Sequence, residues 1–277
     1  MPKGKSMHKD ILVVAWNGKD TPLRYIQFDQ EPRFQLWLFN YSGNKSTPVL
    51  PTEKRIDGVF SYKTEFKGQL LERLCEAVLN FDYRYIGIMD DDHEISVAGI
   101  NRLLEIAEQE NADSFQPSIT HNSYYSHKCF LQKLGAAPEE MCWLEIMAPF
   151  MRKNIFEAAQ PFYPEVISSY GIDRYVYPYL QRKMGMDKKL LIHEVALRHL
   201  KPVTPGSRVL SSGFDALQEC ELVRKDILSR IKKEKLHFTK REMWVIFECW
   251  KPRIFKWRDD LVRTWRTITG TRQKLKP

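Results

Sequence analysis

The sequence contains no uninterrupted apolar run of the roughly 18 residues that a membrane-crossing helix needs. Its start, Met1-Pro2-Lys3-Gly4-Lys5, leads into no apolar segment of the signal-peptide kind, so the expected compartment is the cytoplasm. Cysteine is scarce and scattered: Cys75, Cys129, Cys142, Cys220 and Cys249 are odd in number and include no Cys-x-x-Cys pair. That excludes a zinc-ribbon or disulfide framework and predicts reduced, mostly buried thiols. No internal repeat or low-complexity tract interrupts the 277 residues, which leaves one large domain or a domain with an appendage.

Positive charge is also lacking where a nucleic-acid-binding body would need it. The chain carries a net +8, but Arg224 to Pro277 holds 17 Lys and Arg against 6 Asp and Glu, a net +11, so the first 223 residues carry −3. A nucleic-acid footprint over the whole chain is therefore not expected; the positive charge has its partner at one end.

The first 110 residues alternate strand and helix patterns. Ile11 to Trp16 is a β-branched run closed by Asn17-Gly18-Lys19-Asp20, Phe34 to Tyr41 a second strand, and Gly58 to Tyr62 a third. Lys63 to Phe81 has helical spacing through Phe66, Leu70, Leu74, Ala77 and Val78; Tyr85 to Met89 is a buried strand; Val97 to Gln109 is an amphipathic helix. Such alternation predicts βαβ units, a mainly parallel sheet and a doubly wound, Rossmann-like α/β fold. Ser114 to Ile119 adds a strand, Arg174 to Met184 a helix complicated by Pro178, and Leu190 to His199 a closing strand.

The stretch that organises this pattern is Tyr85-Ile86-Gly87-Ile88-Met89-Asp90-Asp91-Asp92. A strand ends in three adjacent carboxylates at the sheet edge where open α/β folds bind ligands, and a divalent cation carrying phosphate oxygens would relieve their repulsion. A solvated acidic turn explains the same residues. Two further carboxylates stand out. Glu145 interrupts the apolar run Leu144 to Met151, where burial would be costly without a partner, and Asp173 follows Gly171 at a helix start, where capping alone would favour it.

In this order the elements resemble nucleotide-sugar-dependent glycosyltransferases of the GT-A fold: a nucleotide-binding βαβ half, Asp-x-Asp at Asp90 and Asp92, Gly-x-Asp at Gly171 and Asp173, and a strand leading to His199. Met147-Ala148-Pro149, Asn40-Tyr41-Ser42-Gly43 and Phe115-Gln116-Pro117 are similar to signatures of a plant and bacterial family of uncharacterised domains associated with that fold. The resemblance covers residues 8 to 205 and implies a metal-dependent, inverting transfer of a sugar from a nucleotide-sugar donor, a UDP-sugar first of all. The acceptor would be a hydroxyl of a cell-surface glycan or lipid-linked glycan of lipopolysaccharide, O-antigen or capsule type. It implies Asp92 and His199 as ligands of Mn²⁺ or Mg²⁺, the imidazole shifting the preference toward Mn²⁺, with Asp90 on the ribose or metal-water side and Asp91 turned away. Asp173 is implied as general base with Glu145 as its rival, although Ile172 stands where the common pattern has Glu. Lys67 beside Gly68, Asn17 and Asp20 are implied as nucleotide contacts. A nucleotidyltransferase and a non-catalytic protein acting through its basic tail are the alternatives.

The expected division is a GT-A domain over residues 1–210 and a basic helical extension over 211–277. In the extension Phe214 to Lys235 reads as a charged helix. Beyond it Trp244, Phe247, Trp250, Phe255, Trp257 and Trp265 alternate with Lys and Arg. Tryptophans among cations suit an anionic membrane surface, which would make residues 224–277 a peripheral anchor; aromatics packed against protein, or stacked on nucleic acid, explain the same pattern.

Overall fold

The structure is a computed structural model that describes residues 10–44, 56–202 and 209–248. It divides into two compact units, residues 1–236 and 237–277. The first is built on one sheet. Its strands are β1 (Asp10–Trp16), β2 (Ile26–Gln27), β3 (Phe34–Asn40), β4 (Gly58–Ser61), β5 (Tyr85–Met89), β6 (His93–Ser96), β7 (Ser114–Ile119), β8 (Glu139–Glu140), β9 (Phe150–Arg152) and β10 (Lys189–His199). They lie in the order β2-β6-β10-β7-β9-β5-β1-β3-β4, with β8 alongside β10.

β4, β3, β1 and β5 run parallel, as do β7 and β10. The antiparallel β9 sits between the two groups, pairing with both β5 and β7, so all six strands point their carboxyl ends to one edge. This is the GT-A-type mixed, mainly parallel α/β sheet that the sequence predicts. The apolar strands explain it: every residue of β1 and β5 is buried, as interior strands covered on both faces must be. At the opposite edge Asp10 accepts the Tyr85 N–H (3.1 Å) and pairs with Arg84 (2.9 Å), which fixes the β1–β5 register from below.

Helices cover the faces. α1 (Lys67–Val78) buries Leu70, Leu71, Leu74, Cys75 and Val78. Its first turn can approach the turn at Val166 and Ile167 only because residue 68 is glycine: a Cβ there would lie 1.9 Å from the Val166 carbonyl oxygen. α2 (Val97–Gln109) starts where the Ser96 Oγ accepts the Gly99 N–H. α3 (Lys153–Ala158) is short. The segment predicted as a helix from Arg174 to Met184 begins instead as a π-helical turn over Ile172–Val176 and becomes α4 (Tyr177–Met184). Pro178 falls in the first turn of α4, where no backbone N–H is needed, so it does not break the helix.

α5 (Ala216–Glu234) belongs to the same compact unit as the sheet, capped by Asp215, with Cys220, Val223, Ile227 and Ile231 buried. In the second unit Thr239 caps α6 (Lys240–Met243), a π-helical turn Trp244–Glu248 follows, and Phe238 and Phe247 meet edge to face. Trp250, Phe255, Trp257 and Trp265 of the proposed membrane-facing stretch lie outside the described residues. No helix among the described residues is long and apolar enough to cross a membrane.

Candidate active site

The carboxyl end of β5 delivers Asp90, Asp91 and Asp92, and the structure gives each a different environment. Asp90 accepts from Lys67 Nζ at 2.8 Å; the lysine side chain is 15% exposed and also reaches the Met147 carbonyl oxygen at 3.3 Å. Lys67 is thus a fixed counter-charge and not a solvated lysine. Asp91 pairs with Lys201 (3.1 Å) and accepts a hydrogen bond from the Tyr41 hydroxyl (3.2 Å). Asp92 is buried.

Asp92 meets His199 through a register that periodicity did not reveal. Directly after Asp92 the chain forms β6, a four-residue strand that runs antiparallel to the end of β10 with His93 opposite His199 and Glu94 opposite Arg198. The Leu200 N–H closes the junction on the Asp92 carbonyl oxygen at 3.0 Å. This pairing carries the end of β5 across β9 and β7 to the end of β10, and brings Asp92, His93 and His199 together with one ligand atom of each within 4.8 Å of the others. His93 is the residue the sequence reading missed; its signal was only that it follows the Asp-x-Asp directly.

Burial alone would raise the Asp92 carboxyl, but the hydrogen bond from His199 and the charges of His199 and Lys201 outweigh it and hold it below the usual range. For His199 burial pulls downward, and the adjacent Asp92 carboxylate prevails and raises it. His93 is pushed down to about 4 by burial, so its ring is neutral at pH 7. Asp92 Oδ1 and both ring nitrogens of His93 are buried without a hydrogen-bond partner. Buried polar atoms are costly unsatisfied, and Asp92 Oδ1 with one ring nitrogen of His93 leaves two such atoms within the cluster that also includes His199. Two imidazoles and a carboxylate are a donor set that fits a divalent ion.

Glu145 and Asp173 are brought beside one another by the loop that precedes β9. Asp173 reaches beyond its own helical turn: its Oδ2 accepts the Ile146 N–H at 3.0 Å, one residue from Glu145, whose own N–H is held by the Gln116 side chain at 2.7 Å. Burial pushes the Glu145 carboxyl up to about 7, the Asp173 charge adds to this, and Ser126, His199 and Lys67 oppose it. Glu145 is therefore within electrostatic reach of both the metal-type cluster and the Lys67–Asp90 pair. Burial likewise pushes Asp173 up to about 6, against the Ile146 and Arg174 contacts that favour its charge. A carboxyl pair titrating near neutrality is suited to taking up a proton.

Asn17 and Asp20 lie at the carboxyl end of β1 and bond to each other. Asn17 Oδ1 accepts the Lys19 and Asp20 N–H groups at 2.9 and 3.0 Å, and its Nδ2 donates to Asp20 Oδ2 at 2.6 Å. They shape the loop after β1 as an Asx turn. His193, the other histidine of β10, is structural: its Nδ1 accepts the Lys133 N–H and its Nε2 faces Glu139.

No protein-family model and no curated protein matches this sequence. The fold nevertheless matches solved structures of residues 1–349 of TarS from S. aureus. One, in complex with UDP-GlcNAc, gives a TM-score of 0.56 at 8% identity over 87% of this chain and 70% of that one. A second structure of the same residues gives 0.54 at 10% identity over 97% and 75%. At these identities the likeness establishes the GT-A-like fold.

Proposed function

We propose that this protein is a nucleotide-sugar-dependent glycosyltransferase. The observation that carries the reading is the Asp92–His93–His199 cluster at the carboxyl edge of the GT-A sheet, with a carboxyl pair titrating near neutrality within its electrostatic reach. The UDP-GlcNAc complex of TarS, a protein of like fold, supports a UDP-sugar as the donor to try first.

In this reading the nucleotide lies along the ends of β1, β3 and β5, at the point where the strand order reverses from β3 to β5, with Lys67 and Asp90 on its phosphate and ribose side. Asp92, His93 and His199 would hold a divalent ion, which when bound supplies a Lewis acid for the leaving diphosphate. Asp173 accepts the proton of the acceptor hydroxyl while that oxygen bonds to the anomeric carbon from the far side. The carbon–oxygen bond to the diphosphate breaks, the nucleoside diphosphate departs with the electron pair, and the anomeric configuration inverts. Asp173, the lower of the pair, ionises first, and its charge adds to the burial that keeps the proton on Glu145, whose buried Oε2 has no partner. The acceptor we infer is a hydroxyl of a surface glycan or lipid-linked glycan, met at an anionic membrane surface through the basic residues 224–277.

The test of the base is Asp173→Asn. It should leave UDP binding unchanged within about twofold and cost on the order of 10²-fold or more in rate. Full activity in that variant would transfer the role to Glu145, to be checked in Glu145→Gln.

A further inference from the structure

The turn Val166–Gly171 joins the two sides of the candidate site. Its Ile167 carbonyl accepts the Gly68 N–H at 3.0 Å, one residue from Lys67, and its other end leads into the π-helical turn that bears Asp173. Two residues of this turn have left-handed backbones, Ser169 (φ 69°) and Gly171 (φ 95°). For a non-glycine residue that conformation is strained and persists only where the surroundings impose it.

Besides the turn's own hydrogen bonds, two residues of α5 meet it. Glu219 is 3% exposed and uses both carboxylate oxygens: Oε2 accepts the Ser168 N–H at 2.9 Å and Oε1 accepts the Ser212 hydroxyl at 2.9 Å. The next residue, Cys220, closes over Gly171, its Sγ lying 3.5 Å from where a Cβ on that glycine would stand. A leucine would fill the same place on the buried face of α5 without the cost of desolvating a carboxylate. Retaining an acid there needs a reason beyond packing, and the two hydrogen bonds it accepts supply one.

We propose that Glu219 is a positioning residue that, through Ser168, holds the strained Ser169–Gly171 turn and thereby sets the Asp173 carboxylate toward the acceptor side of the site. The proposal rests on the reading of Asp173 as general base. It assigns the first helix after the sheet to the catalytic apparatus and not to an appendage.

The charge of Glu219 is dispensable on this account, and its two acceptor positions are not. Glu219→Gln can accept from Ser168 with its carbonyl and donate to the Ser212 hydroxyl with its amide. Glu219→Leu keeps the volume and loses both bonds. Two measurements decide. By NMR titration, Asp173 should titrate in Glu219→Gln as in the parent and shift toward the ordinary aspartate range in Glu219→Leu. In release of UDP from UDP-GlcNAc with Mn²⁺ and water as acceptor, Glu219→Leu should lower kcat about tenfold with KM changed less than twofold. The same change in an Asp173→Asn background should cost less than twofold, because coupled residues do not add. An unshifted Asp173 titration in Glu219→Leu overturns the proposal, as does a full additional rate loss in the double variant. Full activity of Asp173→Asn alone strikes the base assignment instead, and the titration then decides the Glu219–Asp173 link by itself.

Discussion

The Nδ1 atom of His199 lies 2.9 Å from the backbone carbonyl oxygen of Tyr124. A carbonyl can only accept, so Nδ1 carries the hydrogen and Nε2 is the atom turned to Asp92, 3.4 Å from its Oδ2. A backbone partner that fixes the tautomer of a ligand imidazole is a regular feature of metal sites. With diamagnetic Zn²⁺ as a stand-in ion, nitrogen NMR of the histidines should show His199 as the Nδ1–H tautomer with Nε2 metal-bound. Coordination through Nδ1 would contradict the geometry.

His93 gives the second prediction. With two imidazoles and Asp92 the protein alone offers three ligands, so Mn²⁺ should bind without nucleotide, and His93→Ala should weaken that binding by at least about tenfold in a calorimetric titration. An unchanged affinity would return His93 to a structural place beside β10.

The carboxyl pair predicts opposite pH trends for rate and stability. The base must be ionised, so the rate should rise with pH through about 6 to 7 and level above it. Both folded values lie above the ordinary ones of 4.5 and 3.8, so the folded state binds more protons than the unfolded state between about pH 4 and 7. The pair's contribution to stability is therefore fully present at the acid end of that window and is lost as pH rises through the folded values. In the double variant Glu145→Gln/Asp173→Asn the fall in Tm between pH 5 and 7.5 should be smaller than in the parent. An identical fall in both would contradict the raised values.

Much of this was legible in the sequence. The buried strands β1 and β5, the helical faces of α1 and α2, and the acidic end of β5 follow from periodicity, and the resemblance pointed to Asp92, His199, Glu145 and Asp173. What could not be read was the short pairing. β6 is four residues long, too short for a period, and its place is set by its partner at the end of β10 and not by its own residues. Nothing in composition therefore distinguished His93, or showed that Asp90 would be taken up by Lys67 while Asp92 crossed to His199. The break at Asp173 was equally hidden, since a π-helical turn followed by Pro178 reads locally as a capped helix.

Gly68 tests how the first turn of α1 is seated. Gly68→Ala places a Cβ against the Val166 carbonyl, a backbone atom that cannot step aside, and should destabilise the fold by about 1–3 kcal/mol in denaturant unfolding. An unchanged midpoint would show that the contact between α1 and the 166–171 turn is looser than this account requires.

The basic end of the chain should bind vesicles containing phosphatidylserine in low salt and release them as salt rises, because its 17 cations attract anionic lipid through screened charge. Removal of residues 249–277 should weaken the binding. Failure of the full chain to bind such vesicles at any salt concentration would remove the membrane surface from the proposed function.

The central claim is that Asp92 organises a nucleotide-sugar transfer site, and donor turnover tests it most directly. Release of nucleoside diphosphate should be measured for a panel of nucleotide sugars, UDP-GlcNAc first, with Mn²⁺, for the parent and for Asp92→Asn. The account predicts that at least one donor is consumed by the parent, that a chelator stops the reaction, and that Asp92→Asn lowers the rate by about 10²-fold or more. Turnover that is indifferent to Asp92→Asn, or a parent enzyme that consumes none of the donors, would contradict it.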